Sequence, residues 1–381
     1  MRKNIIKITV VLSCLLIAVS FASCSRHKDT ATVSNTLKGL VKSMDAIGYH
    51  SMVVMEDGTL WAWGDNQYGQ LGDGTTETRF SPVKIMKDVL MVSTSDFTMA
   101  VKNDGTLWGW GENSFGQLGN GTTEDRYSPV KIMDDVKYVS VDGYASHTAA
   151  VKTDGSLWVW GSSRPEGIVA DGKTFNQYYP ETPTKVMENV VQASSGGAVV
   201  MAILEDGTLW GFGHGKLGNG DYKGSIAPVL IMEDVAYVKA NTEFTAAIKT
   251  DGSLWTWGEN QNGMLGNGTR TGIYYSPVKI MEDVVYTNGT TAITADGTLW
   301  AWHLYETQHD DDGHYTLKSL SYSPVAVLDN VAQVASTPAH AFMLMTDGTL
   351  WAWGANDYGQ LGNPSVRYIE SPIEVYNPIT G

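Results

Sequence analysis

The stretch "LWAWGDNQYGQLGDGT", Leu60 to Thr75, places two tryptophans one residue apart and follows them with four glycines. Its opening returns along the whole chain. The block Asp-Gly-(Thr/Ser)-Leu-Trp begins at Asp57, Asp104, Asp154, Asp206, Asp251, Asp296 and Asp347, at separations of 47, 50, 52, 45, 45 and 51 residues. Six of these seven copies carry Trp-x-Trp and the fourth carries Trp210 and Phe212, which accounts for all 13 tryptophans of the protein. A residue confined to one repeat position serves one recurring structural task.

Each unit reads as strands. The apolar run "SMVVM" (Ser51 to Met55) meets Asp57-Gly58, a pair suited to a tight hairpin turn, and then the alternating "TLWAW". Residues two apart share a sheet face, so the paired tryptophans must be covered from one side, and stacking sheet upon sheet covers them all. After the glycine-rich turn comes Ser-Pro-Val-Lys-Ile-Met (Ser81 to Met86), echoed at Pro129, Pro183, Pro228, Pro277, Pro324 and Pro372. Proline is tolerated at strand starts and sheet edges, so each marks an outer strand. A further short strand such as "DVLMVST", from Asp88, completes four per unit. Four strands every 45 to 50 residues or so is the period of a propeller blade. The expected fold is therefore all-β: a seven-bladed β-propeller of four-stranded antiparallel blades. The repeat region opens with "LVKSMDAIGYH" (Leu40 to His50) and closes with "SPIEVY" (Ser371 to Tyr376). We expect these ends to pair in one shared blade and leave no open sheet edge.

"WGDNQYGQLG" (Trp63 to Gly72), "WGENSFGQLG" (Trp110 to Gly119) and "WGANDYGQLG" (Trp353 to Gly362) resemble the repeat of the regulator of chromosome condensation family, over about residues 40 to 376. Gly48-Tyr49-His50-Ser51 is similar to that family's Gly-x-x-His segment, with one residue fewer between glycine and histidine. The resemblance implies a seven-bladed ring, in agreement with the count above. Two units depart from the pattern, the third with "SSRPEGIVADG" (Ser162 to Gly172) and the sixth with "HLYETQHDDDGHYTLKSLSY" from His303. Irregular excursions are expected there, and with them specificity.

Residues 1–23 read as an export signal, with Arg2, Lys3 and Lys7 before an apolar stretch from about Ile8 to Ala22. "FASC" resembles a bacterial lipobox, which implies lipidation (palmitate) at Cys24 and attachment to the bacterial cell envelope on its outer side. Residues 24–38 then form a flexible tether, and 39–381 the propeller. Loss of the leader would move the net charge from −15 to −18. So acidic a chain repels phosphate backbones, which excludes nucleic acid as a partner and with it the chromatin role of eukaryotic relatives.

No catalytic constellation emerges, and we expect a non-enzymatic monomer without a cofactor. "GHGKLG" (Gly213 to Gly218) fits a dinucleotide pattern but aligns with the repeat's own turn. His309, Asp310, Asp311, Asp312 and His314 are metal-ligand types, yet their spacing is not that of a calcium loop, and they read as a solvated acidic loop. His50, His147 and His340, at or near hairpin entry strands, read as packing or hydrogen-bonding residues. A recurring surface does emerge: Arg79-Phe80, Arg126-Tyr127, Tyr274-Tyr275, Tyr322 and Arg367-Tyr368 precede the Ser-Pro strands, and Tyr68, Phe115 and Tyr358 mark the turns. Arginine and aromatic residues anchor interfaces, although repetition at a fixed position also fits a packing role within the blades. The expectation is binding of a protein or a cell-envelope component. The resemblance also permits inhibition of a β-lactamase, since one such inhibitor is a propeller of similar repeats. Carbohydrate binding or envelope enzymology is a third possibility on this fold.

Overall fold

The computed structural model describes residues 41–142, 146–161, 181–309, 315–337, 340–362 and 367–374. They form seven four-stranded antiparallel sheets and one two-stranded ribbon. The blades span residues 41–86, 89–133, 136–187, 190–232, 235–281, 284–328 and 331–374. In blade one the strands are Val41–Ile47, innermost, then His50–Met55, Leu60–Gly64 and, outermost, Arg79–Met86.

The ends do not share a blade. Blade one is built wholly from the N-terminal strands and blade seven wholly from Val331–Ser336, His340–Met345, Leu350–Ala355 and Tyr368–Glu374. Side chains, not strand pairing, join the first and last blades. Val53, Trp63, Val334, Phe342 and Trp353 bury into one cluster, with Trp63 edge-on to Phe342 at 5.8 Å. The Trp63 indole N–H donates to the Gln360 carbonyl at 2.7 Å, and the Ser51 hydroxyl bonds both that carbonyl, at 3.0 Å, and His340 Nε2, at 2.9 Å. The physical reason is that this seam uses the same indole-to-carbonyl contact by which Trp110, Trp160 and Trp302 meet their preceding blades, so no exchanged strand is needed.

Those contacts explain the opening sequence. The second tryptophan of each pair is buried and reaches the preceding blade: Trp110 donates to the Gln70 carbonyl and Trp160 to that of Gln117, both at 2.9 Å, and Trp302 to that of Met264 at 2.7 Å. The indole lies flat on the last glycine of Gly-Gln-Leu-Gly. A Cβ on Gly72, whose φ is +81°, would lie 2.5 Å from Trp110 Nε1, and one on Gly119 equally close to Trp160 Nε1. The first tryptophan secures its own hairpin. Trp108 Nε1 donates to Thr106 Oγ1, which donates to Asp104 Oδ1, and the same relay runs in the blades of Trp158, Trp210, Trp255 and Trp351. The hydroxyl bond holds the Asp104 carboxyl below the usual carboxylate range.

Two-residue connectors link the blades, with Asp88, Asp135, Asn189, Asp234, Asp283 and Asn330 in the left-handed region. Aspartate and asparagine tolerate it better than most residues. Each connector is stitched to the hairpin turns beside it, as in Val89 N–H to the Gly58 carbonyl and Asn103 N–H to the Asp88 carbonyl, both 2.8 Å. One end of the ring therefore consists of short, fastened turns. Among the described residues the longer loops leave from the other end.

Candidate functional site

The loop end is built around an asparagine. Asn66 Nδ2 donates to Asp73 Oδ1 and to the carbonyls of Thr75 and Glu77 at 3.0 to 3.2 Å, while its Oδ1 accepts from Leu71 N–H at 3.0 Å. Asn113 does the same in blade two, and in blade five Asn260 bonds the Thr269 carbonyl and accepts from Leu265 N–H. Glutamine braces the tip, Gln70 Oε1 accepting the Tyr68 N–H, and Gln117 and Gln360 accepting those of Phe115 and Tyr358.

The arginine and aromatic residues divide between seams and rim. Arg79 pairs with Asp73 and Arg126 with Glu124, each clasping its own turn. Tyr127 lies across Gly69 of blade one, Phe80 across Gly359 of blade seven and Tyr322 across Gly263 of blade five, where a glycine Cβ would come within 2.4 to 2.5 Å. The Tyr127, Tyr275 and Tyr322 carbonyls accept the N–H groups of Gly74, Gly220 and Gly268 in the preceding blade. These side chains hold neighbouring blades together, yet Phe80 and Tyr127 remain nearly half exposed. The Tyr274 hydroxyl bonds Thr269 Oγ1, the Arg367 carbonyl accepts from Asn356 N–H, and Tyr368 is exposed at the rim. Tyr68 is exposed, Phe115 is half-buried, and Tyr358 stacks on Tyr49 at 4.9 Å across the seam of blades one and seven. The structure thus brings these residues to one end of the ring without converging them on one point.

The sixth-blade excursion is a two-stranded antiparallel ribbon, Leu304–His309 with Tyr315–Ser321 and a register shift between Leu304 and Tyr305, in place of the irregular loop expected. His309 closes its first strand, opposite Tyr315. Asp310, Asp311, Asp312 and His314, the third-blade segment 162–172, and Cys24 with the leader and tether lie outside the described residues. Among the described residues no group of three or more His, Cys, Asp or Glu side chains is arranged to hold a metal. Gly213 to Gly218 is an inter-strand turn, as read from the sequence.

Sequence reasoning missed the axial channel. Its wall is the ring of innermost strands, whose inward edges would leave backbone groups unpaired. Side chains from the preceding blade satisfy them: Thr94 N–H bonds Asp45, Val141 N–H bonds Ser93, Ser195 N–H bonds Ser140 and Ala240 N–H bonds Ser194, at 2.9 to 3.2 Å. Tyr286 and Gln333 reach forward to the Val334 and Lys42 carbonyls. At the loop end the channel widens into a cavity of about 390 Å³ whose lining includes Asp45, Lys239, Asn241, Asn288, Tyr237 and Tyr286. Burial pushes the Asp45 carboxyl up, opposed by Lys239 and two backbone N–H groups, and it pushes the Tyr237 and Tyr286 phenols up as well. One signal was available: counting the opening valine of each innermost strand as the first place, a polar or aromatic residue stands at the third or the fifth place in all seven, with Met91 and Ala335 the apolar exceptions.

The chain matches the regulator of chromosome condensation (RCC1) repeat over residues 57–101, 104–151, 251–288 and 347–379, and a second description of the same repeat over 41–70, 90–117 and 331–360. It is an RCC1-repeat propeller. Solved propellers of similar fold include human WBSCR16, 24% identical with TM-score 0.57 over 64% of this chain and 68% of that one. Yeast RCC1 (Prp20) is 17% identical with TM-score 0.53, over 89% of this chain and 76% of that one, in a structure with Kap60 bound. A second Prp20 structure was described with its binding properties to Gsp1p and histones. Among curated proteins, Protein RCC2 homolog of Danio rerio is 46% identical over 44 residues, which is 11% of this chain and 9% of the relative. Mouse Protein RCC2 is 43% identical over 37 residues, 10% of this chain and 7% of the relative. The chain therefore aligns with under a tenth of these curated relatives' length. RCC1-repeat propellers are generally protein-binding modules.

Proposed function

We propose that this RCC1-repeat propeller is a non-enzymatic binding module that holds a protein or cell-envelope component on its loop end, and that it is exported and lipid-anchored through Cys24. The observation carrying the reading is the asymmetry of the ring. One end is closed by fastened two-residue turns, whereas the other carries the exposed aromatics Tyr49, Tyr68, Phe80, Tyr127 and Tyr358 and the sixth-blade hairpin. Aromatic residues at such a rim are the usual anchors of an interface. The chemistry of the partner follows from the charge: a net of −15 disfavours polyanions.

The test is partner capture from envelope extract by residues 25–381, with crosslinking, alongside a variant whose sixth-blade hairpin is replaced by a short turn and a variant with Tyr49→Ala and Tyr358→Ala. Retention of one partner, reduced by either change, supports the reading. Failure to retain any partner, or retention indifferent to both changes, refutes it. For the anchor, Cys24→Ala should move the protein from the membrane fraction to the soluble one and abolish incorporation of labelled palmitate.

A further inference from the structure

The axial cavity holds two opposite charges that do not meet. Lys239, on the innermost strand of blade five, is half-buried and its ammonium has no hydrogen bond or ion pair within 4 Å among the described residues. Asp45, on the innermost strand of blade one, has no cation within that distance either. Its two oxygens accept one backbone N–H each, from Thr94 at 2.9 Å and Ala46 at 3.0 Å. A carboxylate can accept about four hydrogen bonds, so roughly half its capacity is open. Two buried polar atoms on the same wall, Asn241 Nδ2 and Ser195 Oγ, have no partner. Such groups are rare in folded proteins, and each costs free energy unless a ligand or water completes it. Tyr237 and Tyr286, ring centroids 6.1 Å apart, and Phe244 supply apolar wall.

From this arrangement we infer that the axial cavity is a binding site for a small zwitterion of the α-amino acid class, its carboxylate on Lys239 and its ammonium on Asp45. A ligand bearing both charges satisfies both sides of the cavity at once, whereas a singly charged one leaves the opposite charge desolvated. The volume falls within the roughly 300 to 1,000 Å³ of small-molecule sites. Each ionic hydrogen bond contributes enough that losing one partner should weaken binding by about tenfold or more. Because the cavity is axial and the proposed partner surface lies on the rim, either reading can fail without the other.

The experiment uses residues 25–381, screened by thermal melting against the twenty free L-amino acids at millimolar concentration, with titration calorimetry on any that raise the melting temperature. N-acetyl and amide derivatives of the same amino acids serve as singly charged probes. The expected result is a rise of several degrees with at least one free amino acid, lost with both derivatives, and weakened at least about tenfold by Lys239→Gln and by Asp45→Asn. Lys239→Gln removes no hydrogen bond from the fold, so it stays informative if Asp45→Asn fails to fold. The inference is overturned if no free amino acid shifts the melt, if the singly charged derivatives bind equally well, or if Lys239→Gln leaves the affinity unchanged.

Discussion

The seam between blades one and two can be broken and mended by choosing both sides of one contact. Replacing Gly72 by alanine puts a methyl group 2.5 Å from Trp110 Nε1 and 2.8 Å from Cδ1 and Cε2, at a φ of +81°. Overpacking of this kind costs about 1 to 3 kcal/mol and the left-handed backbone about 1 to 2 more, so Gly72→Ala should lose about 2 to 5 kcal/mol. Trp110→Phe removes the bond to the Gln70 carbonyl. Thr98 Oγ1 still donates to that oxygen at 2.8 Å, so the loss is one hydrogen bond, about 1 kcal/mol, plus the cavity left by the smaller ring, about 1 to 2. Phenylalanine lacks the pyrrole edge that the new methyl strikes. The double variant should therefore be more stable than the sum of the singles by about 1 to 2 kcal/mol, the clash having gone. Blade four is a natural parallel, with Phe212 at this place and a preceding unit that lacks Gly-Gln-Leu-Gly. Urea unfolding of residues 39–381 followed by far-ultraviolet circular dichroism would measure the cycle. A near-neutral Gly72→Ala, or strictly additive effects, would refute the reasoning.

Other consequences are simpler to read. Burial lowers His50 to about 4 and His340 to about 3, the latter also by the nearby His50, against an unfolded value near 6.5. A folded value below the unfolded one means the unfolded chain binds more protons beneath pH 6.5, so stability should fall as pH drops from about 6.5 toward 4, by about 2 kcal/mol per histidine at pH 5. His147 and His303, also lowered by burial, add to this trend, while Asp45, Asp96 and Glu112, raised by burial, oppose it. The urea midpoint at pH 7 and pH 5 tests the sign, and His340→Gln should flatten the slope. Asn66→Ala strips the first glycine-rich turn of its organising bonds and should cost about 2 to 4 kcal/mol, visible as early proteolysis between residues 65 and 78. Asp221→Ala, in an exposed part of the fourth-blade turn, should stay within about 0.5 kcal/mol of the parent in the same assay.

The blade count was legible because one costly residue recurs at one position. Trp63, Trp110 and Trp160 each need a covering sheet and a carbonyl acceptor, and Gly-Gln-Leu-Gly supplies both. Closure was misread because a periodic pattern has no origin. "LVKSMDAIGYH" fits the first strand of a blade as well as the last of another, and the pairing of Val41–Ile47 with His50–Met55 decides it. The rim aromatics were legible as a set but not by task, since Tyr127 faces Gly69 in a different repeat. The axial cavity was hidden because its groups change chemistry from blade to blade. Asp45, Ser93, Ser140, Ser194 and Lys239 occupy equivalent places, so no repeated letter draws attention to them. The sixth-blade hairpin escaped because its strands follow no repeat template.

Small-angle scattering from residues 39–381 tests the closed ring most directly. A closed compact domain of this length should give a radius of gyration of about 20 Å and a single-peaked distance distribution. A markedly larger radius, with a long tail to the distribution, would mean that Trp63 and Gln360 do not meet in solution and would contradict the account.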